Sequence, residues 1–138
     1  MTQTALVLTF PARDQQERIR REVAAILARH VGVERAVQRS TLARLVREGL
    51  GLHQLAQSTL ERRVREAIGE LLDEGRRVVC SGSGIFVAET AEEIAEGDRA
   101  LAGNAFGALR RLAVYRRVTL AALLEGMGQQ AMRLGGGE

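Results

Sequence analysis

Apolar residues recur at intervals of three and four along most of this chain, and glycine-containing breaks separate the stretches where they do. Ile19, Val23, Ile26, Leu27 and His30 fall on one stripe. Asp14 with Glu17 three residues on has capping-box spacing, so a first helix is expected to start near Asp14 and to end at Gly32. A second is expected from Ser40 or Thr41, with Leu42, Leu45 and Val46 inward and Gly49 and Gly51 as its stop. Leu50–Gln57 is then the turn before a third helix, or that turn plus a short extra helical segment. Ser58-Thr59-Leu60-Glu61 repeats the capping-box spacing ahead of Leu60, Val64, Ala67, Ile68, Leu71 and Leu72. Gly75 is placed to close this helix as its C′ residue.

Beyond Gly75 the period changes. Val78-Val79-Cys80 and Ile85-Phe86-Val87 are short β-prone runs around Ser81-Gly82-Ser83-Gly84, the pattern of a hairpin. Thr90 and Glu93 have capping-box spacing before a helix that carries Ile94, Leu101, Ala105, Leu109, Leu112 and Tyr115 on one side. Gly103 and Gly107 lie one turn apart in it and leave room for another helix to approach. Thr119 starts a last helix with Leu120, Leu123, Leu124 and Met127, and the glycines at 135–137 mark a fraying end. The expected class is mainly α with a small β-hairpin. Helix, helix, helix, hairpin over residues 13–89 is the plan of a winged helix-turn-helix, the hairpin being the wing. Residues 1–12 form an N-terminal arm, residues 90–134 a C-terminal helical extension, and residues 135–138 a flexible tail.

With 46% hydrophobic residues the chain of 138 has enough apolar material for a core. The apolar start, Met1 to Phe10, has no basic residues and no cleavage pattern, so no signal peptide is expected and the expected location is the cytoplasm. One cysteine, Cys80, excludes an internal disulfide and is expected to be a small buried strand residue. The net charge is only +3, but all 20 cations are arginine, whose planar fork suits phosphates and guanine edges. GC-rich coding explains most of that bias, so arginine placement matters more than arginine number. Four aromatic residues, Phe10, Phe86, Phe106 and Tyr115, are too few for the stacking platform of a single-strand binder.

From about Val33 to Arg117 the chain resembles small winged helix-turn-helix DNA-binding proteins of bacteriophages and mobile genetic elements. The resemblance rests on Arg39-Ser40-Thr41-Leu42-Ala43, on Ser58 with Arg63-Val64-Arg65-Glu66-Ala67-Ile68 and Glu70-Leu71, and on Glu74-Gly75. The Ser-Gly-Ser-Gly wing, the Phe86–Glu93 run (FVAETAEE) and the Ala108-Leu109-Arg110-Arg111 region complete it. The linker between the second and third helices is longer than usual in such proteins, and the proline often found after the Glu-Gly pair is absent. The resemblance implies duplex DNA binding and a mobile-element origin.

On the third helix, packing Leu60, Val64 and Leu71 inward leaves Ser58, Arg62, Arg65, Glu66 and Gly69 outward, flanked by Thr59 and Arg63. Arg62 and Arg65 suit guanine edges, and Ser58 and Thr59 suit a phosphate near the helix start. Arg39, Ser40 and Arg44 open the second helix, a usual phosphate-positioning place in this motif. The wing tip, Ser81, Gly82 and Ser83, is flanked in sequence by Arg76 and Arg77 and suits the sugar-phosphate backbone. Ordinary solvated ion pairs account for the helix charges equally simply. His30 on its apolar stripe is expected to be packed, and His53 in a loop has no partner in sequence. No catalytic residue, metal site or cofactor is expected, because no motif supplies one.

The expected function is double-stranded DNA binding in transcription control, or in replication or maintenance, of a phage or mobile element, with a homodimer formed through the C-terminal helices. The alternative is a winged-helix adaptor that binds a polymerase or replication protein. Convergence of the arginines on one face would favour the first.

Overall fold

The computed structural model describes residues 12–135. Residues 1–11 of the expected arm and 136–138 of the expected tail lie outside the described residues. Five helices and one hairpin follow in the order α1 (Ala12–Leu27), α2 (Arg39–Leu50), α3 (Gln57–Asp73), β1 (Val78–Ser81), β2 (Gly84–Val87), α4 (Ala91–Arg116) and α5 (Leu120–Gly135). The molecule is thus mainly helical, with a small antiparallel hairpin. A short 3-10 turn, Val33–Arg35, lies between α1 and α2. Contacts divide the chain after Gly97, inside α4, into two units.

The first unit owes its core to the 3.6-residue stripes. Ile19, Val23 and Leu27 of α1, Leu42 and Val46 of α2 and Leu60, Val64 and Leu71 of α3 are buried in one cluster. Burying one such side chain contributes about 1.5–3 kcal/mol, against about 1 kcal/mol for a helix cap, so packing outweighs local signals. That ordering explains where the helix ends differ from expectation. α3 starts at Gln57, with Ala56 as its N-cap and no side-chain cap bond. Ser58 is therefore inside the helix, and Glu61 instead accepts a 3.1 Å bond from Gln57. Buried Leu52 and half-buried Leu55 anchor the turn before it, and Arg47 Nη2 donates to the Leu55 carbonyl at 3.0 Å. α2 begins at Arg39, runs through Gly49 and ends at Gly51, which has φ 66°. No additional helix interrupts the turn to α3.

α1 already includes Ala12, and Glu17 turns to Arg20 and Arg21 rather than capping. It stops at Leu27, before His30, and Gly32 takes φ 90° beyond it. His30 is thus not on the stripe: its ring Nδ1 lies 2.7 Å from the Arg35 carbonyl oxygen. The end of α3 follows expectation. Gly75 takes φ 90°, its N–H bonds the Leu72 carbonyl at 2.9 Å, and the Arg76 N–H bonds the Leu71 carbonyl at 3.0 Å. These are the two bonds of a Schellman closure.

β1 and β2 pair from Val78↔Val87 to Ser81↔Gly84, leaving Gly82 and Ser83 as the loop. The segment before α2 joins this ribbon through bridges Val31↔Val87 and Val37↔Ile85. Val78 and Ile85 belong to the core of α1–α3. Val79 and Phe86 are cross-strand partners, and a side chain at Gly97 would come within 3.1 Å of Val79. The first turns of α4 therefore cover the hairpin's other face. Cys80 is exposed rather than buried, although its cross-strand partner Ile85 belongs to the core. The expected capping box at α4 is present: Glu93 N–H donates to Thr90 Oγ1 at 3.1 Å, and Thr90 N–H to Glu93 Oε1 at 3.1 Å.

In the second unit, α4 ends at Arg116 and Arg117 takes φ 56°. Thr119 caps α5 by accepting the Ala122 N–H at 3.1 Å. No described helix is long and apolar enough to cross a membrane.

Candidate nucleic-acid interface

The start of α2 is where three parts of the first unit meet. Gln38, its N-cap, donates from Nε2 to the Ser83 carbonyl at 3.5 Å, tying the helix to the hairpin loop. Arg39, the next residue, lies near Cys80: partial burial pushes the Cys80 thiol above its ordinary value, and the Arg39 charge opposes that shift. On its other side the helix start borders α3. Ser40, Thr41, Arg44, Arg47 and Gln57 line an open groove of about 340 Å³. The α2 start thus touches the hairpin loop on one side and the α3 start on the other.

The expected contact residues of these three parts face solvent. Arg39, Ser40, Arg44, Ser58, Gly82 and Ser83 are exposed, while Thr41, Thr59 and Ser81 are half-buried. Ser81 Oγ accepts the Ser83 N–H at 3.2 Å, which shapes the two-residue loop. Arg44 lies 3.9 Å from Glu48, a long and exposed contact worth little. Among the described residues Arg39, Arg62 and Arg65 form no ion pair.

No family model, curated protein or solved structure matches this chain. The site therefore has to be argued from its own geometry.

On α3 the outward stripe is the expected one. Ser58, Arg62, Arg65 and Glu66 are exposed, and Thr59, Arg63 and Gly69 are half-buried. Nothing lies within 4 Å of where a Gly69 side chain would begin. The helix has more acids than bases, but part of its acid faces elsewhere. Arg20 of α1 lies 3.8 Å from Glu70 and pairs with Glu74 just past the helix end. Arg20 also bonds Glu17 at 2.6 Å and holds that carboxyl below its ordinary value. Gln16 ties the same side of α3 to α1, donating to the Arg63 carbonyl at 3.1 Å and to Glu70 at 3.2 Å. What remains outward on this stripe is Arg62 and Arg65, with Glu66 next to Arg65 and one turn beyond Arg62; half-buried Glu61 accepts from Gln57.

Arg76 and Arg77 are not part of this surface. They precede β1, at the base of a four-residue strand whose tip is Ser81, so roughly 13 Å of extended chain separates Arg77 from the loop. They border a cavity of about 130 Å³ with Ala24, Leu27, Leu71 and Val78. Neighbours in sequence are parted here because the strand runs away from them. Gln38, Thr41 and Gln57, which line the junction, carried no signal in sequence beyond their place at helix starts. His53 is exposed, and among the described residues no group of acids, histidines and cysteine could hold a metal ion.

Proposed function

We propose that this chain binds double-stranded DNA as a winged helix-turn-helix. α2 and α3 form the helix-turn-helix, and the β1–β2 hairpin with Val37 bridged to it forms the wing. The observation that carries this reading is the junction at the start of α2. Loop, α2 start and α3 start are contiguous there, and Arg39 stands beside them without an ion-pair partner among the described residues. α3 enters the major groove with Arg62 and Arg65 toward base edges. Arg39, Ser40 and Arg44 hold phosphates, as do Ser58 and Thr59 at the start of α3. Ser81, Gly82 and Ser83 run along the sugar-phosphate backbone. The resemblance to phage and mobile-element proteins supports a role in transcription control, replication or maintenance of such an element.

Glu66, exposed next to Arg65 and one turn beyond Arg62, favours a second reading, in which the same surface docks a polymerase or replication protein. Affinity for a random-sequence duplex across a salt series separates the two. DNA binding weakens steeply with salt, with a slope of about 0.9 per phosphate neutralised. Arg39→Ala with Arg44→Ala lowers that slope by about two and weakens binding to all sequences alike. Arg62→Ala with Arg65→Ala costs about 1–3 kcal/mol per lost base contact and relaxes sequence preference. Arg76→Ala with Arg77→Ala, at the hairpin's base, leaves affinity within roughly twofold. A folded protein with no duplex affinity even at low salt overturns the reading in favour of the adaptor.

A further inference from the structure

The second unit holds too little core to stand alone. Among its described residues only Ala113 and Leu123 are buried; every other buried apolar residue belongs to the first unit. Two helices with two buried side chains cannot offset an ordering cost of about 1–2 kcal/mol per residue. Both helices nevertheless carry continuous apolar stripes. On α4, Leu101, Ala105, Leu109 and Leu112 are spaced as one stripe; Leu109 and Leu112 are half-buried, whereas Leu101 and Phe106 remain 51% and 45% exposed. On α5, Leu120, Leu123, Met127 and Leu134 are spaced likewise; Met127 is 42% and Leu134 79% exposed. In each helix one part of the stripe is covered and the rest is open.

We infer that the open halves of the α4 and α5 stripes form a two-fold interface with a second copy of this chain. Area is the first argument. The exposed large apolar residues on these stripes, Leu101, Leu124, Met127 and Leu134, present on the order of 400 Å² of surface, close to the apolar share, somewhat over half, of the about 800 Å² that a standard interface buries from each partner. Extent is the second. At about 1.5 Å per residue, Leu124–Leu134 of α5 and Asp98–Ala108 of α4 are each about 15 Å long. A two-fold axis lets each copy's α5 cover the other's α4, so both open stretches are buried at once. Gly103 has nothing within 4 Å of a would-be side chain, which leaves a partner helix room to approach. The inference rests on this unit alone and not on the DNA reading.

Charge supplies a diagnostic. From Asp98 to Gly135 there are six arginines, Arg99, Arg110, Arg111, Arg116, Arg117 and Arg133, against Asp98 and Glu125. Two copies repel, so added salt strengthens an apolar dimer, whereas it weakens any association bridged by nucleic acid. Sedimentation of the full, nucleic-acid-free chain from micromolar to submillimolar concentration tests this. The expected result is a monomer–dimer equilibrium that shifts toward dimer with salt. Met127→Glu with Leu134→Glu weakens it on the order of a hundredfold. Gln129→Glu, on the opposite face of α5, leaves it intact. A monomer throughout the range overturns the inference, as does a Met127→Glu/Leu134→Glu protein that dimerises like the wild type or a Gln129→Glu protein that does not dimerise. Loss of the dimer with duplex binding retained overturns this inference alone; a dimer without duplex binding overturns only the DNA reading.

Discussion

Gly84 takes φ 121°, and a side chain there would begin 2.9 Å from the Val37 carbonyl oxygen. Both strain and contact are with backbone, so neither can be relieved by a rotamer. Gly84→Ala is expected to destabilise the protein by about 1–3 kcal/mol, measured by urea unfolding. Because Val37 leads directly into α2, the same change should also disturb the junction that carries Arg39. Glu93 works from the other side of the hairpin. Its carboxylate accepts the N–H of Glu89 at 2.8 Å, of Val33 at 2.7 Å and of Thr90 at 3.1 Å, and these bonds hold it below its ordinary value of 4.5. A lowered folded-state pKa means stability that is present above the ordinary carboxylate range and is lost as pH falls through and below it. Melting temperatures of wild type and Glu93→Gln should therefore differ most at neutral pH and converge as pH falls below the ordinary carboxylate range.

At the scale of elements, two Ser/Thr-x-x-Glu patterns of equal local quality had different fates. Thr90 caps α4, whereas Ser58 lies within α3 because the Leu52–Leu55 turn sets that helix's start at Gln57. Thr90→Ala should cost about 1 kcal/mol and Ser58→Ala close to nothing in chemical denaturation, while Ser58→Ala still weakens duplex affinity. Equal losses for the two would mean that Ser58 caps α3 in solution. The signal at Gly75 survived because no tertiary contact competes with it: nothing lies within 4 Å of a side chain placed there. Cys80 shows the converse. Strand propensity placed it in the ribbon, but alternation alone did not say which positions the rest of the fold covers: Cys80 is exposed while its cross-strand partner Ile85 is buried.

For the whole molecule, the two units are expected to answer separately to salt and mutation. The proposed DNA surface belongs to the first unit and weakens with salt; the proposed dimer face belongs to the second and strengthens. The order of helices and hairpin, the core-facing residues of α1–α3 and the outward stripe of α3 were legible along the chain. Each follows from hydrophobic period and from glycine's backbone freedom, which act over a few residues. The joining of Gln38 to Ser83, the nearness of Arg39 to Cys80 and the separation of Arg77 from the loop it nearly adjoins in sequence were not legible. They depend on how the 31–37 segment lies against β2 and on how helix starts settle once the core is packed. Those outcomes are decided by contacts between residues about forty to sixty positions apart, and no local pattern encodes them.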